Sequence, residues 1–108
     1  MDVIKFGGSS ISNPQNINKV IDIISGCKNK ETGKIIIFSA IGNTTDQLIK
    51  CGKLAGKRDQ NYKSVFAEIK ENHIEICYNL FEYNNQSEIL SFIQTKLNKL
   101  ENILEGIY

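Results

Sequence analysis

The stretch Val3-Ile4-Lys5-Phe6-Gly7-Gly8-Ser9-Ser10 decides the fold, because it joins a short apolar run to a glycine pair and then to hydroxyl side chains. Residues 3–6 have the length and composition of a buried strand ended by glycine. Gly7-Gly8 lets the backbone come close to a ligand, and Ser9-Ser10 leads toward a helix start. A loop at this place in a parallel sheet turns backbone amides toward an anion. Lys5 adds a mobile ammonium with three donors, suited to a phosphoryl group whose charge redistributes during transfer. The spacing is neither GxxxxGK nor GxGxxG, and a glycine pair after a strand also serves as an ordinary tight turn.

Downstream, Ser12-Asn13-Pro14 marks a helix start: Ser12 or Asn13 can cap, and Pro14 suits the first turn. Ile17, Val20, Ile21 and Ile24 then recur at helical spacing, which predicts an amphipathic helix ending near Ser25-Gly26. The polar residues 28–34 read as a loop closed by Thr32-Gly33. Ile35-Ile36-Ile37-Phe38 is an unbroken run of the kind found in strands covered on both faces. Strand, helix, strand makes a right-handed βαβ unit, so the loops after Phe6 and after Phe38 are expected to face one crevice.

The second loop, Ser39-Ala40-Ile41-Gly42-Asn43-Thr44-Thr45-Asp46, is rich in small and hydroxylated residues, and Thr44 or Thr45 is a candidate helix cap. From residue 46 onward the pattern is helical. Gly52, Gly56, Lys53, Lys57 and Arg58 read as the fraying end of one helix, with the basic residues forming a solvated surface. Tyr62, Val65, Phe66, Ile69, Ile76, Leu80 and Tyr83 form a long stripe that includes His73, read as a partly buried helix histidine. Residues 83–87 are a polar break in which Asn85 or Ser87 can cap a final helix carrying Ile89, Phe92, Ile93, Leu97, Leu100, Ile103, Leu104 and Ile107. Residues 60–105 therefore resemble an antiparallel helix pair.

The chain has 108 residues, 13 Lys plus Arg against 12 Asp plus Glu, and a net charge of +1. This length suits one small domain or a part of one, and the balanced charge gives no field favouring nucleic acid or anionic membrane. Cys27, Cys51 and Cys77 are too few and too widely spaced for a disulfide framework or a CxxC zinc site. Packing in a reducing compartment is their expected role. With no signal-peptide pattern and no apolar run of membrane-spanning length, a cytoplasmic protein is expected.

The opening Met-x-Val-Ile-Lys-Phe-Gly-Gly-Ser-Ser resembles that of aspartokinases, members of the amino acid kinase family, whose first strand runs into a KFGGTS or KFGGSS loop. Ser39-Ala40 and Thr44-Thr45-Asp46 resemble the family's second loop, although Gly42-Asn43 stands where many members carry two small residues. The resemblance implies an α/β amino acid kinase-like fold that begins with a βαβ parallel sheet and continues into an antiparallel helix pair. Residues 1–108 would be the incomplete N-terminal portion of the catalytic domain, with a helical subregion over about 46–108. Only two segments have strand character, fewer than a buried parallel sheet needs.

It also implies transfer of the γ-phosphoryl of Mg-ATP to the side-chain carboxylate of L-aspartate, giving 4-phospho-L-aspartate for lysine, threonine and methionine synthesis. Lys5 is the implied catalytic residue, with Lys5, Gly7, Gly8, Ser9 and Ser10 holding the nucleotide phosphates and Ser39 and Thr45 positioning aspartate. ATP and Mg2+ enter together as the substrate complex. The full-length parent would be a homo-oligomer, with or without a fused homoserine dehydrogenase, and the 108 residues alone would be inactive. Two other readings remain at this stage: another amino acid kinase with a different acceptor, and a stand-alone helical module that binds a partner without catalysis.

Overall fold

The computed structural model describes residues 2–26 and 33–108. The elements in chain order are strand β1 (Asp2–Phe6), a 3-10 turn (Gly8–Ile11), helix α1 (Pro14–Gly26), strand β2 (Lys34–Phe38), and helices α2 (Thr44–Gly56), α3 (Tyr62–Leu80) and α4 (Tyr83–Ile107). This is the expected α/β architecture. The chain divides into two compact units, residues 1–45 and 46–108.

In the first unit β1 and β2 pair in parallel, with Asp2 opposite Lys34, Lys5 opposite Ile37 and Phe6 opposite Phe38. Parallel strands require the crossover that α1 supplies. Strand alternation sends Ile4, Phe6 and Ile36 to the face carrying α1, where they pack with Ile11, Ile17, Val20, Ile24 and Ile41. Fully burying such a side chain contributes about 1.5–3 kcal/mol. The Phe6 and Phe38 rings stack with centroids 5.7 Å apart.

The opposite face is open: Val3 is 62% exposed, Ile35 45% and Ile37 44%. The expectation that β2 is covered on both faces is therefore corrected, since among the described residues the sheet has two strands and one packed face. Ile21, assigned to the buried stripe of α1, is also exposed, while Ile17, Val20 and Ile24 do pack.

Between the two candidate caps of α1, the structure selects Asn13. Its Oδ1 accepts the Asn16 N–H at 2.8 Å, with Pro14 in the first turn. A side-chain cap of this kind is worth about 1 kcal/mol. The loop expected over residues 28–34 falls mostly outside the described residues, as does Cys27. Gly33 at its end has φ +64, a left-handed backbone that favours glycine.

The second unit packs three helices around Cys51, Ala55, Tyr62, Val65, Phe66, Ile69, Leu97 and Leu104. Gly52 lies within α2 rather than at a frayed end. The C-terminus of α2 closes through Arg58 N–H to Ala55 carbonyl (3.0 Å) and Asp59 N–H to Leu54 carbonyl (2.9 Å). This is the Schellman arrangement, and Arg58 takes the left-handed position with φ +57.

Helices α3 and α4 are antiparallel, because Tyr62 at the start of one meets Tyr108 just past the end of the other, ring centroids 5.5 Å apart. The break between them is at Phe81-Glu82, earlier than the polar residues 83–87 suggest. Tyr83 opens α4 and is 88% exposed, so it leaves the α3 stripe to which the spacing assigned it. The polar residues are tolerated because they form the first turn of α4. Gln86 uses its amide to donate to the Tyr78 carbonyl (3.0 Å) and the Phe81 carbonyl (2.8 Å), satisfying the end of α3. His73 is part-buried, its Nδ1 2.7 Å from the Ile69 carbonyl, as expected of a helix histidine.

Candidate active site

Every residue singled out as phosphate-facing or acceptor-facing lies in the first unit. Lys5 is the penultimate residue of β1 and is exposed on the open sheet face with Val3, Ile35 and Ile37. The chain then leaves the sheet at Gly7, which has extended backbone, and tightens into the 3-10 turn. The first bond of that turn runs from Ser10 N–H to Gly7 carbonyl at 3.1 Å. Among the described residues, the N–H groups of Gly7, Gly8 and Ser9 have no protein partner. The hydroxyls of Ser9, Ser10, Ser39 and Thr45 likewise make no hydrogen bond within the described residues.

The first loop is held from behind. The Ser9 carbonyl accepts the Ser12 hydroxyl at 3.0 Å and the Asn16 amide at 3.3 Å, tying the turn to the first turn of α1. Spacing alone assigns Ser12 and Asn13 only to helix capping and gives Asn16 no role. The signal available was the density of Ser and Asn over residues 9–16, whose short polar side chains bond nearby backbone.

The two loops meet through backbone. Ser39 N–H donates to the Phe6 carbonyl at 3.0 Å, and Gly42 N–H donates to the Gly8 carbonyl at 3.0 Å. A Cβ placed on Gly8 would stand 2.5 Å from the Gly42 carbonyl oxygen and 3.0 Å from that of Ala40. No side chain fits there. Gly42 turns the second loop with φ +55, whereas Asn43 keeps an ordinary negative φ. The left-handed demand thus falls on glycine and not on Asn43. Thr44, one of the two candidate caps, opens α2 and is buried, its hydroxyl donating to the Ile41 carbonyl and fixing the turn. Thr45 follows it, exposed, on the first turn of α2.

The structure therefore brings Gly7, Gly8, Ser9, Ser10 and Ser39 to one end of the sheet, places Lys5 in the strand leading there, and sets Thr45 three residues beyond Gly42. A hollow of about 260 Å³ beside the first loop is lined by Phe6, Ser10, Asn16, Lys19, Val20 and Ile23. Larger hollows of about 500 and 410 Å³ belong to the helical unit, and no loop residue lines them. Size alone does not mark the site. Two backbone-stitched loops at the carboxyl end of a parallel sheet, one with unpaired amides and a preceding lysine, suit an enzyme that grips phosphate beside a second substrate.

The chain belongs to the amino acid kinase family, whose profile matches residues 2–100. Among curated proteins it is 30% identical over 106 residues to the chloroplastic bifunctional aspartokinase/homoserine dehydrogenase 2 of Zea mays, covering 98% of this chain and 11% of that protein. It is 34% identical over 108 residues to the chloroplastic aspartokinase 1 of Arabidopsis thaliana, covering 97% of this chain and 18% of that protein. To the bifunctional aspartokinase/homoserine dehydrogenase of Buchnera aphidicola subsp. Acyrthosiphon pisum (strain APS) it is 30% identical over 114 residues, 99% of this chain and 13% of that protein. The chain thus spans between 11% and 18% of the length of these relatives. Among the described residues, no helix is long and apolar enough to cross a membrane.

Proposed function

We propose that this chain supplies the phosphate loop and the acceptor loop of an aspartate kinase, which transfers the γ-phosphoryl of Mg-ATP to the side-chain carboxylate of L-aspartate. The product is 4-phospho-L-aspartate, the activated carboxylate that lysine, threonine and methionine synthesis begins from. The observation that carries this reading is the pair of backbone hydrogen bonds between the Lys5-to-Ser10 loop and the Ser39-to-Thr45 loop. Names of the relatives favour aspartate over other acceptors.

The chemistry needs alignment and charge stabilisation more than a strong base, because the attacking carboxylate is already ionised. The Gly7, Gly8 and Ser9 amides, with the Ser9 and Ser10 hydroxyls, receive the nucleotide phosphates, and Lys5 neutralises charge on the group in flight. Ser39 and Thr45 hold the aspartate by hydrogen bonds. Magnesium arrives as part of the nucleotide substrate. The activity is that of a whole catalytic domain, of which residues 1–108 form the amino-terminal portion, in a cytoplasmic homo-oligomer. Buried Cys51 and Cys77, both free thiols, suit a reducing compartment.

The test is a substrate profile of the full-length protein with Mg-ATP. Phosphorylation of L-aspartate is expected, with glutamate, acetylglutamate, carbamate and uridylate turned over far more slowly. A preference for any of those four would replace the proposed acceptor while leaving the family unchanged.

A further inference from the structure

A trans peptide unit points its N–H and its C=O in opposite directions. The peptide joining Phe6 to Gly7 carries on one side the Gly7 N–H, unpaired among the described residues, and on the other a carbonyl that accepts Ser39 N–H at 3.0 Å. The peptide joining Gly8 to Ser9 repeats this, with Ser9 N–H unpaired and the Gly8 carbonyl accepting Gly42 N–H at 3.0 Å. Each unit thus has its N–H end without a partner among the described residues and its carbonyl end bonded to the second loop.

We propose that these two peptide units couple the substrates, so that nucleotide phosphate bound at Gly7 and Ser9 tightens the acceptor loop through Ser39 and Gly42. The inference rests on the proposed assignment of phosphate to the first loop. An anion at the N–H end polarises the peptide and makes its carbonyl a better acceptor, because hydrogen bonds in a chain strengthen one another. The Ser39 and Gly42 bonds, already formed at 3.0 Å, are therefore reinforced when nucleotide binds, and the acceptor meets a loop held more firmly in place. By reciprocity the acceptor strengthens nucleotide binding by the same factor.

The Gly8 contact keeps the device rigid. With a Cβ at 2.5 Å from the Gly42 oxygen and 3.0 Å from the Ala40 oxygen, both backbone atoms, any side chain at residue 8 must force the loops apart. A Cβ on Gly42 would instead meet only Ser12 Cβ at 3.8 Å, an ordinary contact. Gly8 is in this sense a positioning residue for the acceptor loop as well as a proposed N–H donor to phosphate.

The experiment uses the full-length protein with the non-hydrolysable β,γ-imido analogue of Mg-ATP and L-aspartate. The analogue alone is expected to shift the Ser39 and Gly42 amide resonances, slow their hydrogen exchange, and lower the aspartate Kd by about fivefold or more. In Gly8→Ala, at saturating analogue, the effect on aspartate Kd is expected to fall to about twofold or less. If Gly8→Ala does not fold, the amide shifts and Kd values of the unsubstituted protein decide. Analogue binding registered at Lys5 and Gly7, with Ser39, Gly42 and the aspartate Kd unmoved, would overturn the coupling and leave the proposed function standing. No response to the analogue anywhere in the first loop would overturn both.

Discussion

Lys5 stands where strand order gives way to the glycine turn, paired in register with Ile37 and exposed on the face opposite α1. In the proposed reaction an ammonium in the strand just before an amide-rich turn stabilises charge as it redistributes toward the leaving oxygen, an interaction stronger in the transition state than in the bound nucleotide. Lys5→Ala in the full-length protein is accordingly expected to lower kcat on the order of a hundredfold or more, with a smaller change in the KM for aspartate. Steady-state kinetics with near-normal turnover would remove Lys5 from the reaction. The glycines divide their roles: Gly8 is required by close backbone approach, Gly42 by its left-handed φ of +55. Sequence spacing picked out the first as part of a phosphate loop. It could not show that the space beside Gly8 is occupied by the second loop, because that contact joins residues far apart in the chain.

At the scale of elements, the helices of the second unit are where periodicity spoke most clearly and where their ends were hardest to place. Phe92, Ile103 and Ile107 share the spacing of the α4 stripe yet are exposed, while Leu97 and Leu104 are buried. Spacing at threes and fours admits two adjacent faces of one helix, and only the packing of α3 chooses between them. The end of α2 offers a stability test. Arg58 occupies a left-handed position that disfavours a side chain, so Arg58→Gly is expected to stabilise the protein by about 1 kcal/mol, read from the urea midpoint. No gain would indicate that the arginine side chain offsets its backbone strain.

The same unit makes stability depend on alkaline pH. Burial pushes the Cys51 and Cys77 thiols above their ordinary value; for Cys51 the nearby Glu68 adds to this and Lys50 opposes it. Their contribution is fully present below the unfolded thiol pKa and fades as pH rises through the raised folded values, because the unfolded chain ionises first. Urea midpoints should fall between about pH 8 and about pH 10, and fall less steeply in a Cys51→Ala, Cys77→Ala variant. An equal fall in both proteins would assign the effect to other groups.

For the whole molecule, the family profile and the parallel pairing agree on an amino acid kinase chain, while the sheet, two-stranded among the described residues, leaves Val3, Ile35 and Ile37 between 44% and 62% exposed. The 108 residues by themselves are therefore expected to yield no acyl phosphate from Mg-ATP and L-aspartate, assayed by trapping with hydroxylamine; measurable hydroxamate would show that these two loops suffice for transfer. What the sequence determined alone was local: the strands, α1 with Pro14 in its first turn, the glycine loop, and the helical character after residue 46. Each follows from spacing, β-branching or turn chemistry within a few neighbours. The tertiary structure alone decided which sheet face is packed, where α3 yields to α4, and that Phe6 and Gly8 carry Ser39 and Gly42 on their carbonyls. Those outcomes depend on which distant groups come within hydrogen-bond or van der Waals reach, and spacing along the chain holds no record of that distance.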